Sequence, residues 1–314
     1  MSSPLAPSAR ETRFARSELA PTRRRGALAV LAAGVVFSFG GLFFRAADDI
    51  DAWQYLTFRG LGAVLVVAPI VWWQNRQDLG GVARRLAWQH AAAGVLLGTM
   101  MISFIVALSH ADVAFVLLFQ ALAPLGAAVF SWLILREVFE RDAIIASSAA
   151  IVGVAVMVSS GLDAGIGWAI LIVGFIPLGL GMYSTLIRAG GDGDPVVPVL
   201  IAGGVCGTGA ALVAAFGSGF DVSGRDLVIG LLAGALLIGM PLPFFNWGQQ
   251  AVPAPDGSLL LMSEIVLGPV WVWWAYDETP TRATLVGGAI ILAAVVWLTQ
   301  RARYTDAPLR TSRG

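Results

Sequence analysis

The 314-residue chain contains no lysine; all twenty of its basic residues are arginine. A Schiff-base mechanism through a lysine amine is therefore excluded. There is one cysteine, Cys206, inside an apolar run, so no internal disulfide framework can form. The two histidines, His90 and His110, lie near the ends of apolar runs. No HExxH, GxSxG, Asp-rich diphosphate or GxxxxGK[ST] motif occurs, which argues against zinc hydrolase, serine hydrolase and P-loop chemistry. No metal or cofactor is expected, and the chain is not read as an enzyme. Charge is scarce as well. Only 13% of residues are Asp, Glu, Lys or Arg, against about 25% in soluble domains.

What fills the chain instead is hydrocarbon. Hydrophobic residues make up 57% and the mean hydropathy is +0.79. Several apolar runs reach or approach the ~20 residues needed to cross a ~30 Å hydrocarbon core. They lack the ~10-residue alternation of a membrane barrel. The expected fold is all-α and integral to a membrane, with ten spans at 26–44, 52–73, 91–109, 113–135, 143–160, 166–187, 196–217, 227–248, 256–276 and 283–299. Residues 1–25 are polar, carry six arginines and read as a disordered tail, and 301–314 read as a second tail. The first apolar run is too long for a cleaved signal peptide and leads directly into further spans.

Arginine placement sets the expected orientation. The N-terminal tail, the loop after span 2 (Arg76, Arg84, Arg85), the loop after span 4 (Arg136, Arg141) and the C-terminal tail are basic. The loop after span 1 carries Asp48, Asp49 and Asp51 against Arg45 alone. Both termini are therefore expected in the cytoplasm, with the chain multi-pass in the cytoplasmic (inner) membrane. Arg225 and Arg282 fall on the outer side in this arrangement.

The chain also repeats itself. "FSWLILREVFERDAII" (130–145) and "WVWWAYDETPTRATLV" (271–286) align without gaps at a constant offset of 141 positions, matching Trp132 to Trp273, Glu137 to Glu278 and Arg141 to Arg282. Each half thus ends in Trp-x4-Glu-x3-Arg, giving repeats at 26–160 and 166–300. Five spans per half is an odd number, so the second copy would lie upside down in the membrane. The two Glu–Arg pairs are expected to be structural ion pairs near opposite surfaces.

"AFVLLFQALAPLGAAVFSWLILRE" (114–137), "GSLLLMSEIVLGPVWVWWAYDE" (257–278) and "FSFGGLFFRAADDIDAWQYLTFRG" (37–60) together resemble the drug/metabolite transporter superfamily, EamA type. The resemblance covers about 26–300. It implies a secondary transporter of small organic metabolites, working by alternating access and exporting, with proton coupling as one option and a substrate-sized cavity between the halves. In one departure Ile265 stands where the repeat would match Pro124, and the proline falls at Pro269, so any kink in span 9 is expected about one turn later. A membrane-embedded enzyme and a channel or receptor remain as alternatives.

Two charges sit deep in spans. Glu264 lies about nine residues into span 9, roughly 14 Å in at 1.5 Å per residue. A carboxylate there costs about 2.5–3.5 kcal/mol on insertion scales, so it must face a cavity or partner, or be protonated. It is either a buried hydrogen-bonding group or a substrate and proton site. Arg59 lies about seven residues into span 2, roughly 10 Å deep. It either snorkels to the outer surface or turns inward toward Glu264 or an anionic substrate group. Gln120 precedes Pro124 by four residues, Tyr183 follows Pro177 by six, and Asn246 and Gln249 follow Pro241 and Pro243. Proline frees a carbonyl one turn earlier and can open polar backbone to a cavity. Each of these polar residues is either a helix–helix hydrogen bond or a substrate contact. Trp271, Trp273 and Trp274 are an interfacial belt or, for Trp271 above all, a stacking wall.

Overall fold

A computed structural model describes residues 23–76, 86, 88–136, 141–162, 167–189, 194, 196–249 and 254–305. Among them the chain folds into helices without a strand: α1 (Arg23–Phe37), α2 (Gly40–Arg45), α3 (Ala52–Asn75), α4 (Trp88–Leu108), α5 (Val113–Gln120), α6 (Ala123–Leu135), α7 (Arg141–Leu162), α8 (Gly167–Ala189), α9 (Val197–Phe216), α10 (Gly224–Gly234), a π-helical turn (Ala235–Gly239), α11 (Pro241–Gln249), α12 (Ala254–Tyr276) and α13 (Arg282–Thr305). Seven stretches are long and apolar enough to cross a membrane: Arg24–Arg45, Ala52–Asn75, Trp88–Leu108, Val113–Ile134, Ile170–Ile187, Val197–Phe216 and Gly224–Gly248. Shorter apolar helices cover Ile144–Val156 and Arg282–Trp297. Large apolar side chains such as Leu171, Phe216 and Trp274 stand on the outer surface at 77%, 92% and 79% exposure. In water such a surface would aggregate; in hydrocarbon it costs nothing. The chain is a multi-pass helical membrane protein.

Helix starts are set by local chemistry. The Asp51 carboxylate accepts from the Trp53 and Gln54 amides at 2.7 and 2.8 Å, and Gln54 Oε1 accepts from the Asp51 amide at 3.1 Å. This capping box fixes the first turn of α3. Gln54 Nε2 also donates to the Gly219 carbonyl at 3.0 Å, tying that turn to the α9–α10 loop. Ser223 caps α10 by accepting from the Asp226 amide.

Small residues let the helices touch backbone to backbone, the usual device where lipid is as apolar as the core. A Cβ on Gly60 of α3 would collide with the Gly207 backbone of α9, and one on Gly234 of α10 with the Arg59 carbonyl. A Cβ on Gly181 of α8 would overlap the Gly126–Ala127 backbone of α6, and one on Gly153 of α7 would sit 2.7 Å from the Gly287 carbonyl of α13. The extensively packed pairs are α3 with α9, α7 with α13, α6 with α8, α1 with α12, α4 with α9, α3 with α10, α4 with α8 and α1 with α11.

Three helical stretches are interrupted toward the middle of the bundle. α1 and α2 part at Ser38–Phe39, and α5 and α6 part at Ala121–Leu122. Pro124 has no N–H for the Gln120 carbonyl, which explains the second break. Pro241 and Pro243 likewise leave the Leu237 and Gly239 carbonyls without their usual donors, and the π turn lies there. Pro177 sits within α8. By contrast α12 runs unbroken through Pro269, so no separate break follows from the shifted proline of span 9.

Candidate functional site

The interruptions surround a cavity of about 230 Å³. Its lining comes from every stretch with a break and from α3, α4, α8 and α12. Arg59 enters from α3, Gln120 from the end of α5, Tyr183 and Ser184 from α8, and Glu264 from α12. Phe37, Leu97, Met100, Met101, Phe104, Leu180, Leu242 and Phe245 are among the apolar residues of the remaining wall. The volume falls just below the ~300–1,000 Å³ of drug-sized ligand pockets, so it suits a small metabolite.

Arg59 is held from behind. Its own carbonyl abuts Gly234, and the next residue, Gly60, abuts Gly207, so α3 cannot rotate its guanidinium out toward lipid without separating two helix contacts. The side chain is 5% exposed and turned to the cavity. Surface snorkelling is thereby ruled out for this arrangement. Among the described residues no hydrogen-bond partner meets Arg59 Nε or Nη1, and no ion pair joins it to Glu264. Two deep charges thus share one cavity without neutralising each other directly.

Glu264 is the eleventh residue of α12 and is buried at 9% exposure. Gln120 Nε2 donates to its Oε2 at 3.2 Å. The helix break at Pro124 is what leaves Gln120 at the end of α5 to do so. Tyr183 and Asn246 form a second polar contact: Asn246 Nδ2 lies 3.3 Å from Tyr183 Oη, and Tyr183 Oη lies 3.4 Å from Asn246 Oδ1. Tyr183 lines the cavity and Asn246 does not, so Asn246 is placed to orient Tyr183. Gln249 ends α11, and its side chain lies outside the described residues.

Trp271 departs from the belt reading. It stacks on Phe39 at 5.2 Å with 10° between the rings and donates from Nε1 to Ser38 Oγ at 2.9 Å. Ser38 Oγ in turn donates to the Val35 carbonyl at 2.6 Å. Trp271 therefore plugs the α1–α2 break on the side away from the tails, while Trp273 and Trp274 are exposed. Trp132 is exposed as well, at 51%.

Beyond Trp271, toward the same end of the bundle, Glu278 makes a junction that the repeat did not foretell. Its expected partner was Arg282. Instead Arg45 Nε donates to Glu278 Oε2 at 2.8 Å, and Arg282 is exposed at the start of α13. The helical first turn of α13 carries Arg282 away, whereas α2 ends with Arg45 beside the 277–281 loop. Arg45 also donates to the Leu108 and Ala111 carbonyls at 2.9 and 3.3 Å. Glu278 Oε1 accepts from the Val113 amide at 2.6 Å. Asp112 is the N-cap of α5 yet makes no capping hydrogen bond with its side chain, so Glu278, from the far end of the sequence, takes over that role. Asp112 is half-buried; burial first, then the like charge of Glu278, raises its carboxyl above the ordinary range, while Arg45 lowers it. Of the first-half pair, Glu137 lies outside the described residues, and Arg141 is exposed at the start of α7. Arg45 had a sequence signal that the repeat reading passed over. "FFRAADD" (43–49) and "LIRAGGD" (186–192) both close the first span of their half with Arg-Ala-x-x-Asp.

The arrangement can enclose a small molecule between opposite charges and apolar walls, with helix breaks around it. Among the described residues no His/Cys/Asp/Glu cluster suits a metal ion. A solved crystal structure, described only as that of a protein, matches with a TM-score of 0.63 over 90% of this chain and 99% of its own, at 18% identity. That likeness speaks to fold alone. No curated protein matches the sequence. Residues 24–159 match the model of the EamA-like transporter family.

Proposed function

We propose that the protein is a secondary carrier of small organic metabolites, with ten spans arranged as two inverted five-span halves that alternate access to the central cavity. The single observation that carries this reading is the convergence of Arg59, Gln120, Tyr183 and Glu264, from four separate stretches, on one cavity ringed by helix breaks. Broken helices around a central site are how carriers present backbone and side chains to cargo.

The packing supports the duplicated plan. With spans numbered in order, the first is α1–α2, the fourth α5–α6, the eighth α10–α11 and the tenth α13. Exchanging each span for its counterpart five further on turns the α6–α8 contact into α12–α1, α4–α9 into α10 and the π turn with α3, and α4–α8 into α11–α1. The α3–α9 and α7–α13 contacts map onto themselves. A two-fold-related pair of halves would produce this set.

With the arginine-rich loops inside, the Arg45–Glu278 end faces outward and both termini face the cytoplasm. The Trp271–Phe39 stack then closes the outer route, and this arrangement is the outward-closed one. Glu264 is the candidate proton carrier: Gln120 holds one oxygen and the cavity receives the rest of the carboxyl group. The direction of transport is taken as export, following the family resemblance.

The test has two stages. A metabolite-library thermal-shift screen on purified protein identifies a ligand through stabilisation by mass action. Proteoliposomes are then loaded with that ligand, and uptake of the labelled compound is measured. A carrier accelerates uptake when the far side is loaded. Uptake indifferent to internal ligand would point to a channel, and chemical conversion of the ligand would point to an enzyme.

A further inference from the structure

We propose that the cavity takes a small organic carboxylate bearing one negative charge and a compact apolar body, with the carboxylate seated on Arg59. This rests on the carrier reading and names its cargo.

The starting point is the guanidinium itself. At 5% exposure it is inside the protein, and among the described residues neither Nε nor Nη1 has a hydrogen-bond partner. A buried cation left with idle donors is costly. The glycine contacts behind α3 hold it there rather than letting it swing out. The planar guanidinium is matched to a carboxylate, to which it offers parallel donors.

Charge number follows from the lining. Among the described lining residues Arg59 is the one cation, and Glu264 is the one acid. A monoanion satisfies Arg59. A second negative charge on the cargo would stand in an apolar enclosure with no cation opposite and Glu264 nearby, so dicarboxylates and phosphate esters are disfavoured. Gln120, by donating to Glu264 Oε2, keeps that acid engaged on its own wall. A purely cationic cargo would meet Arg59 with the same sign.

The rest of the cargo must be apolar. Phe37, Met100, Met101, Phe104, Leu180 and Phe245 line the cavity with little to bond to. Methionine side chains adapt to irregular shapes, which suits a family of short aliphatic or arylalkyl acids. The volume of about 230 Å³ limits that body to a small one.

The experiment uses purified full-length protein in detergent and four probes of similar reach: hexanoate, hexanamide, hexylamine and the dianion adipate. Binding is read by calorimetry and by the shift in melting temperature. Hexanoate is expected to bind and stabilise, with the other three at least ~10-fold weaker. Arg59→Gln should weaken hexanoate about 10- to 150-fold, the range for losing a charge-assisted hydrogen bond, while Arg59→Lys should retain part of the preference over hexanamide. Equal binding of hexanamide or hexylamine overturns the proposal. So does tighter binding of adipate, or an Arg59→Gln protein that folds and binds hexanoate as the parent does. If Arg59→Gln does not fold, the four-probe ranking on the parent still decides. The cargo class and the carrier reading fail separately. Hexanoate binding without trans-acceleration sinks the carrier, and trans-acceleration by a ligand indifferent to Arg59 sinks the carboxylate.

Discussion

Replacing Glu278 by alanine should loosen the Arg45–Glu278 end of the bundle, by an amount the structure lets us set. Glu278 does two things at once. It holds Arg45 Nε at 2.8 Å, with side-chain exposures of 26% and 18% for the Arg and Glu, and it caps α5 through the Val113 amide at 2.6 Å. Losing an N-terminal cap costs about 0.5–2 kcal/mol. Losing a charge-assisted hydrogen bond costs about 1.5–3 kcal/mol, but partial exposure pulls the Arg45 part toward the ~0.2–1 kcal/mol of surface pairs. Arg45 also keeps its bonds to the Leu108 and Ala111 carbonyls. The sum is about 0.7–3 kcal/mol. At ~1.4 kcal/mol per factor of ten, local opening should rise about 3- to 140-fold. Hydrogen exchange of the segment beginning at Val113, measured in nanodiscs, reads this directly because the protected amide is the one Glu278 bonds. Glu278→Asp should fall in between. Exchange within twofold of the parent in Glu278→Ala would refute the capping role and the clamp built on it.

The remaining expectations concern pH, the deep acid and the glycine contacts. Because the folded arrangement raises the Asp112 carboxyl, it binds the proton more tightly than the opened form does. Protection of the α5 start should therefore increase as pH falls through that raised range, and be lost as pH rises above it; exchange rates corrected for intrinsic pH dependence and followed upward from the ordinary carboxylate range check this, and Glu278→Ala should shrink the effect by removing the like charge. Glu264→Gln preserves the shape and hydrogen bonding of a neutral acid, so the protein should insert normally yet lose the pH dependence of uptake while retaining downhill exchange; a wild-type pH profile in proteoliposomes would make Glu264 a structural hydrogen-bonding group only. A Cβ at Gly60 would collide with the Gly207 backbone, whereas one at Gly204 meets nothing within 4 Å. Gly60→Ala should accordingly depress the yield of monodisperse protein and its melting temperature, and Gly204→Ala should do neither, as size-exclusion chromatography and thermal melts would show.

Hydropathy located the helical stretches because a ~30 Å slab imposes a length on each apolar run. Glu264 and Arg59, placed well inside apolar runs, are both buried, and Pro124 pointed to the break that exposes Gln120. Partnership was less legible. The Trp132/Glu137/Arg141 repeat suggested Arg282 for Glu278, yet Arg45 takes that place, because ion pairing is decided by which helix ends meet in space and not by spacing along the chain. Trp271 reads as a belt residue beside Trp273 and Trp274, since composition cannot say that one of three neighbours on a helix turns inward to Phe39 and Ser38. Asn246 stands behind Tyr183 rather than on the cavity wall, a distinction of a few ångströms that no spacing carries. The unbroken course of α12 through Pro269 shows the converse case, where tertiary packing holds a helix together across a residue that would otherwise interrupt it.

The most direct test of a carrier with one central, alternately exposed cavity uses the chain's own scarcity of thiols. Cys206 is fully buried, so Cys206→Ser removes the background, and Ser184→Cys then places one thiol on the cavity wall. A membrane-impermeant thiol reagent is applied to either face of sealed vesicles in turn. The account predicts labelling from both faces, with the Glu278-end face slow in the parent and accelerated by Glu278→Ala while the opposite face slows. Labelling from one face alone, unchanged by Glu278→Ala, would contradict it.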